Sequence, residues 1–162
     1  MPHQVVDWLL EPNSLTSRIK FTFAEPFSVR VHEQGLGKPF LSDARCLQQP
    51  LQHYSLIREV KLNVGDVTVV FARTTLPRKV AHQLQELTHL GNKPLGEVIF
   101  SYPDLRRSGL DLAKIDASQL NDSLCQELDG ESHLWARRNR YQINKNHFVV
   151  SEFFLPALYK KC

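Results

Sequence analysis

Residues 53–77 read HYSLIREVKLNVGDVTVVFARTTLP. Two runs rich in Val, Leu, Ile, Phe and Thr flank NVGD at 63–66, where Gly65 permits the backbone of a tight turn. This is the clearest β-hairpin in the chain. Side chains alternate between the faces of a strand, so Tyr54, Leu56, Arg58, Val60 and Leu62 share one face and Ile57, Glu59 and Lys61 the other. Arg58 therefore points with the apolar set.

A second hairpin is expected near the carboxyl end, where LWARRNRYQIN (134–144) and HFVVSEFFLPAL (147–158) run on either side of NKN (144–146). PFSVRVHEQG (26–35) alternates Phe27, Val29 and Val31 with Ser28, Arg30 and His32, the pattern of a strand with one wet face, and SGLDLAKI (108–115) reads as a further strand. Helices fit VVDWLLE (5–11), stopped by Pro12, and NSLTSRIKF (13–21), capped by Asn13 or Ser14. A longer helix is expected over 76–94, with Val80, Leu84 and Leu87 on one side and Gly91 past its end, and another over 116–130, capped by Asp116. PLGEVIF (94–100) is ambiguous. Helices interleaved with antiparallel hairpins predict one α+β domain built on a single sheet.

The 162 residues suffice for one domain with a sizeable core. Hydrophobic content of 42% and charged content of 23% are those of a folded globular chain. The apolar stretches fall short of the roughly 20 residues a membrane helix needs, and Asp7 interrupts the first of them, so neither a span nor a secretory signal is expected. Cys46, Cys125 and Cys162 are widely spaced, which predicts no disulfide framework and a reducing, cytoplasmic setting. A net charge of +3 suits a small anion, but the basic residues are too dispersed for a nucleic-acid surface. No long exposed apolar face is evident, so a monomer is expected. The seven histidines have no metal-binding spacing, and no phosphate loop or nucleophile elbow is present.

The chemistry concentrates on two charges. Glu152 shares a strand face with Phe148, Val150 and Phe154, while the opposite face holds Val149, Ser151, Phe153 and Leu155. An unpaired buried ion costs several kcal/mol, so Arg58 and Glu152 each require a partner, a ligand or water. Either they pair directly and fix the packing, or they face one cavity and hold opposite ends of a ligand. In the second case the guanidinium suits a carboxylate, and the glutamate can accept from a hydroxyl or take a proton. Arg73 and Arg137 also lie on partly apolar faces, where the simpler reading is a snorkelling arginine at a sheet edge. The RRNR run (137–140) reads likewise as a solvated edge, and Cys125 as a small core residue.

The stretches DWLLEPNSLTSRI, LIREVKL, ARTTLP, LGNKPLGEVIF, LWARRNRYQI and SEFFLPALY occur in the order found in the chorismate lyase family, which the chain resembles from residue 7 to residue 159. The resemblance implies one antiparallel sheet, helices packed on one side, and helical flaps over a buried ligand site. It implies conversion of chorismate to 4-hydroxybenzoate and pyruvate for ubiquinone synthesis, without metal or organic cofactor. By the same resemblance Arg58 and Glu152 are the catalytic residues, and Leu95 of KPLG and Leu15 of the first flap add substrate contacts through the main chain. The family places methionine where this chain has Leu15. The segment 111–133 looks longer than in other members. A non-catalytic effector-binding domain of the same fold is the alternative; such domains usually follow a DNA-binding domain, for which no room is expected before residue 7.

Overall fold

The computed structural model describes residues 1–160; Cys162 lies outside the described residues. Six strands form one antiparallel sheet in the order β1-β2-β3-β6-β5-β4. They are β1 (Phe27–Gly37), β2 (Ser55–Val64), β3 (Val67–Pro77), β4 (Arg106–Asp116), β5 (His133–Ile143) and β6 (Asn146–Phe154). The two predicted hairpins, β2–β3 and β5–β6, form the centre, and the strands carrying Arg58 and Glu152 flank β3. Gly65 turns the first hairpin at φ 59, and Asn144 turns the second at φ 56, a conformation asparagine tolerates better than most side chains.

The helices are short: α1 (His3–Leu9), α2 (Leu15–Thr22), α3 (Leu41–Cys46), α4 (Arg78–Gln83), α5 (Leu95–Ile99), α6 (Asp122–Gln126) and α7 (Pro156–Tyr159). Ser14 caps α2 by accepting a hydrogen bond from the Ser17 amide. Both longer helices expected from the sequence divide in two. Leu84, at φ −110 and ψ 58, ends α4, and a 3-10 turn over Gln85–Thr88 follows. The break lets Val80, Leu84, Leu87 and Leu90 all enter one buried cluster. Likewise Asp116 caps a 3-10 turn at Ala117–Gln119, and Asn121 starts α6 afresh. Burial has overridden helix propensity at the first break.

The face bearing Arg58 and Glu152 is covered at its two ends by separate apolar clusters. Val5, Trp8 and Leu9 of α1, with Leu15 and Ile19 of α2, pack on Val60, Leu62, Ala72 and Phe154. At the other end Val80 of α4 and Val98 and Ile99 of α5 pack with Tyr141, Phe148 and Val150. A polar strip of buried Arg58, Thr74, Arg137, Asn139 and Glu152 runs between them. The opposite face carries a smaller layer, in which Leu124 and Leu128 pack on Phe71, Ala136 and Phe153.

Phe148 is fully buried and its ring lies 5.7 Å from that of Tyr141. Phe148→Ala should lower the unfolding free energy by about 3–5 kcal/mol, as for other core Phe truncations. Urea denaturation followed by circular dichroism gives the value; a loss below 1 kcal/mol would mean that this end of the sheet is not tightly packed.

Candidate active site

The bare space over the polar strip is a chamber of about 50 Å³. Arg58, Glu152, Leu15 and Leu95 all line it. Its floor also includes Val60, Ala72, Thr74 and Val150 from the sheet. Its roof comes from the first turns of α2 and α5. Leu15 and Leu95 are the first residues of those helices, where backbone amides have no partner within the helix. The two flaps meet closely: a Cβ on Gly96 would lie 3.2 Å from the Ser14 hydroxyl, and Lys20 forms an ion pair with Glu97 at 3.1 Å.

Arg58 and Glu152 do not pair. Arg58 sits opposite Thr74, whereas Glu152 sits opposite Ala72, so they are two strands apart and offset by two residues. Standard spacings put their Cα atoms about 12 Å apart. The Arg58 guanidinium donates to Gln34 Oε1 at 3.0 Å and to the Gly91 and Lys93 carbonyls at 3.0 and 3.2 Å. Three of its five N–H donors are thus engaged, leaving two. Arg58 is 3% exposed and no carboxylate lies within ion-pair reach among the described residues; burial alone pulls its pKa below the ordinary arginine value. A dry cation held only by neutral acceptors retains its attraction for a negative charge.

The partner of Glu152 is Arg137. The Arg137 Nε donates to Glu152 Oε2 in a fully buried ion pair, and Asn139 Nδ2 donates to the same oxygen at 3.2 Å. Both bonds fall on Oε2, which leaves Oε1 for a ligand. The Arg137 Nη1 reaches the carbonyls of Trp8, Leu9 and Glu11 at 3.3, 3.2 and 2.8 Å. These carbonyls lie at and just beyond the end of α1, so one side chain ties that segment to the glutamate. Tyr141 lines the chamber beside them, and burial, reinforced by the Glu152 charge, pushes its pKa up to about 12. It is a protonated hydroxyl at neutral pH.

The reading of Arg137 as a snorkelling edge arginine is thereby corrected. The strand β5 lies between β6 and β4, so it is not an edge, and Arg137 is 2% exposed. A signal for this was present. A two-residue turn at Asn144–Lys145 sets Ile143 opposite Asn146, and counting back from there places Arg137 opposite Glu152. The RRNR run is likewise no solvated edge: Arg138 pairs with Asp43 at 3.0 Å, and Arg140 donates to the Cys46 carbonyl at 3.3 Å. Arg73 points to the far face, where it stacks on Phe40 at 3.9 Å and lies 3.6 Å from Glu59. Cys125 is half-buried against the Ala117 carbonyl. Among the described residues no cluster of His, Cys, Asp or Glu could hold a metal ion, and no helix is long and apolar enough to cross a membrane.

Solved structures share this fold. The C-terminal domain of PhnF superposes with a TM-score of 0.63 at 12% identity, covering 88% of this chain and 87% of that one. The effector domain of PhnF from Mycobacterium smegmatis gives 0.58 at 17% identity, covering 90% of each chain. At such identities the likeness concerns the fold alone. The sequence decides further. The chorismate lyase family model matches residues 1–162. A probable chorismate pyruvate-lyase from Methylococcus capsulatus is 35% identical over 93% of this chain and 94% of its own length. One from Azoarcus is 36% identical over 93% and 83%. The chain belongs to the chorismate lyase family.

Two measurements probe this geometry. Arg137→Ala strands the Glu152 charge and should destabilise the fold by about 3–5 kcal/mol, read by chemical denaturation; a change within 0.5 kcal/mol would dissolve the pairing. The Tyr141 phenol should be the last of the four tyrosines to ionise, with a midpoint about 12 in the tyrosinate absorbance of the folded protein, and Tyr141→Phe should remove that step. Because the unfolded chain ionises near 10, the native state should lose stability as pH rises from 10 through 12.

Proposed function

We propose that this protein is a chorismate pyruvate-lyase that converts chorismate to 4-hydroxybenzoate and pyruvate, the reaction that supplies the ring of ubiquinone. The observation that carries the reading is a buried, counter-ion-free Arg58 in the same chamber as a glutamate with one oxygen open. Chorismate is a dianion with a ring carboxylate at one end and a hydroxyl-bearing carbon at the other. Arg58 receives the ring carboxylate on an unengaged donor. Glu152 Oε1 accepts from the 4-hydroxyl, and Leu15 and Leu95 add main-chain contacts from the flaps.

The reaction breaks the bond between the ring and the enolpyruvyl oxygen. The ring loses the hydrogen on the hydroxyl-bearing carbon and becomes aromatic, and the enolpyruvate takes a proton on its methylene carbon to become pyruvate. Aromatisation supplies the driving force, so the protein has to orient the ether and exclude water rather than activate a poor reactant. No metal or organic cofactor is needed for this balance. Tyr141, a neutral hydroxyl in the same lining, offers a donor to the ligand without adding charge.

The chamber volume adds a constraint. An apolar cavity of about 150 Å³ is needed to take up benzene, and this one has about 50 Å³. A ring therefore enters by displacing α2 and α5, which meet at Gly96 and Lys20–Glu97. A planar product that fits beneath the closed flaps leaves slowly, so product inhibition is strong. The setting proposed is a cytoplasmic monomer. Likeness to effector domains favours a second reading, a module that binds such a ligand without converting it.

Purified protein and chorismate, with a chelator present, decide between them. Release of pyruvate and 4-hydroxybenzoate in equal amounts is expected; tight 4-hydroxybenzoate binding with no turnover would select the binding module. Glu152→Gln should lower kcat by about 100-fold or more. Arg58→Ala should weaken 4-hydroxybenzoate binding by about 30-fold or more, measured by calorimetry; unchanged affinity would remove Arg58 from the site.

A further inference from the structure

The far face of the sheet holds a second, larger cleft of about 530 Å³. The segment that looks extended in the sequence builds one wall. Ile115, Leu120 and Leu124 come from it, and Phe153 of β6 forms the floor. Asp43 of α3 and Arg138 of β5 supply the charge. Arg137 also belongs to the lining, but its side chain is committed to Glu152 on the other face.

Charge in this cleft does not balance. Arg138 donates through Nη1 to Asp43 Oδ1 at 3.0 Å, and through Nε and Nη2 to Asp111 Oδ2 at 3.0 and 2.6 Å. One guanidinium thus serves two carboxylates, an excess of one negative charge when both are ionised; Asp111 is exposed, and burial pushes the Asp43 pKa up. Of the neighbouring cations, Lys61 pairs with Glu127 at 3.2 Å, and Arg73, whose charge also acts on Asp43, is shared with Glu59 at 3.6 Å. Asp43 is 2% exposed, and its Oδ2 is buried without any hydrogen-bond partner. Buried carboxylate oxygens without a donor are costly and uncommon.

We propose that this cleft is a second ligand site, separate from the Arg58–Glu152 chamber, which takes a small amine with an apolar or aromatic body. The ammonium group donates to Asp43 Oδ2 and cancels the surplus charge. The body lies on Ile115, Leu120, Leu124 and Phe153. The site stands whether or not the chamber turns over chorismate, because its walls lie on the other side of the sheet.

Titration of the 15N-labelled protein with phenethylamine, 2-phenylethanol and phenylacetate tests it. The amine should give saturable amide shifts at Ala113, Leu124 and Ser151. It should bind about tenfold or more tightly than the alcohol, with the acid weakest. Asp43→Asn should erase the preference for the amine. Ala113→Trp, which fills the mouth from β4 and leaves Asp43 untouched, should abolish binding and serves if the Asp43 variant fails to fold. Equal affinity for the three compounds, shifts that never saturate, or shifts centred on Arg58 and Leu95 would each overturn the proposal.

Discussion

The buried pair between Arg137 and Glu152 is the constraint on which the rest of the site depends. A carboxylate alone among Val150, Phe154 and Ala72 would not stay dry. Arg137 lets it do so, and commits only one of its oxygens. The same guanidinium gathers three carbonyls at and just beyond the end of α1, so the segment leading into the first flap and the acidic group of the chamber are held by one side chain. Replacing such a pair by apolar residues is often neutral or stabilising in other proteins. Its retention here makes sense as positioning, since the fold could be held by hydrophobic packing alone.

Arg58 solves the reverse problem. It is held by neutral oxygens from β1 and from the loop before α5, none of which cancels its charge. Those acceptors fix the direction of the guanidinium while leaving its attraction for an anion intact. The two charged residues thus differ in kind: Glu152 is paired with a cation of the protein, whereas Arg58 is held by neutral acceptors only. That asymmetry gives the chamber a polarity along the sheet.

Much of this was legible in the residues. Period-2 alternation placed Arg58 and Glu152 on apolar faces, and Gly65 and the NKN turn set the two central hairpins. Family resemblance supplied Leu15 and Leu95. What escaped was whatever depends on pairing between strands. Arg137 looked like a surface residue because its own strand alternates Trp135, Arg137 and Asn139, a pattern that does not declare which face is buried. Only the register of β5 against β6 discloses it. The helices over 76–94 and 116–130 were drawn too long, because leucine spacing reports an apolar side and is blind to a kink at Leu84 or a restart at Asn121. The far cleft was invisible for a similar reason: Asp43 and Asp111 are remote in sequence and meet only through Arg138.

The tight turn at Asn144–Lys145 has one more consequence. Neighbouring residues on the two strands it joins serve opposite sides of the molecule: Arg137 and Glu152 one, Arg138 and Ser151 the other. Gaining or losing a single residue on either strand between that turn and Arg137 or Glu152 would send each side chain beyond it through to the wrong side. The length of this hairpin is therefore strictly set, whereas a change of length in the connection over 117–132 leaves that register intact and acts on the far side alone.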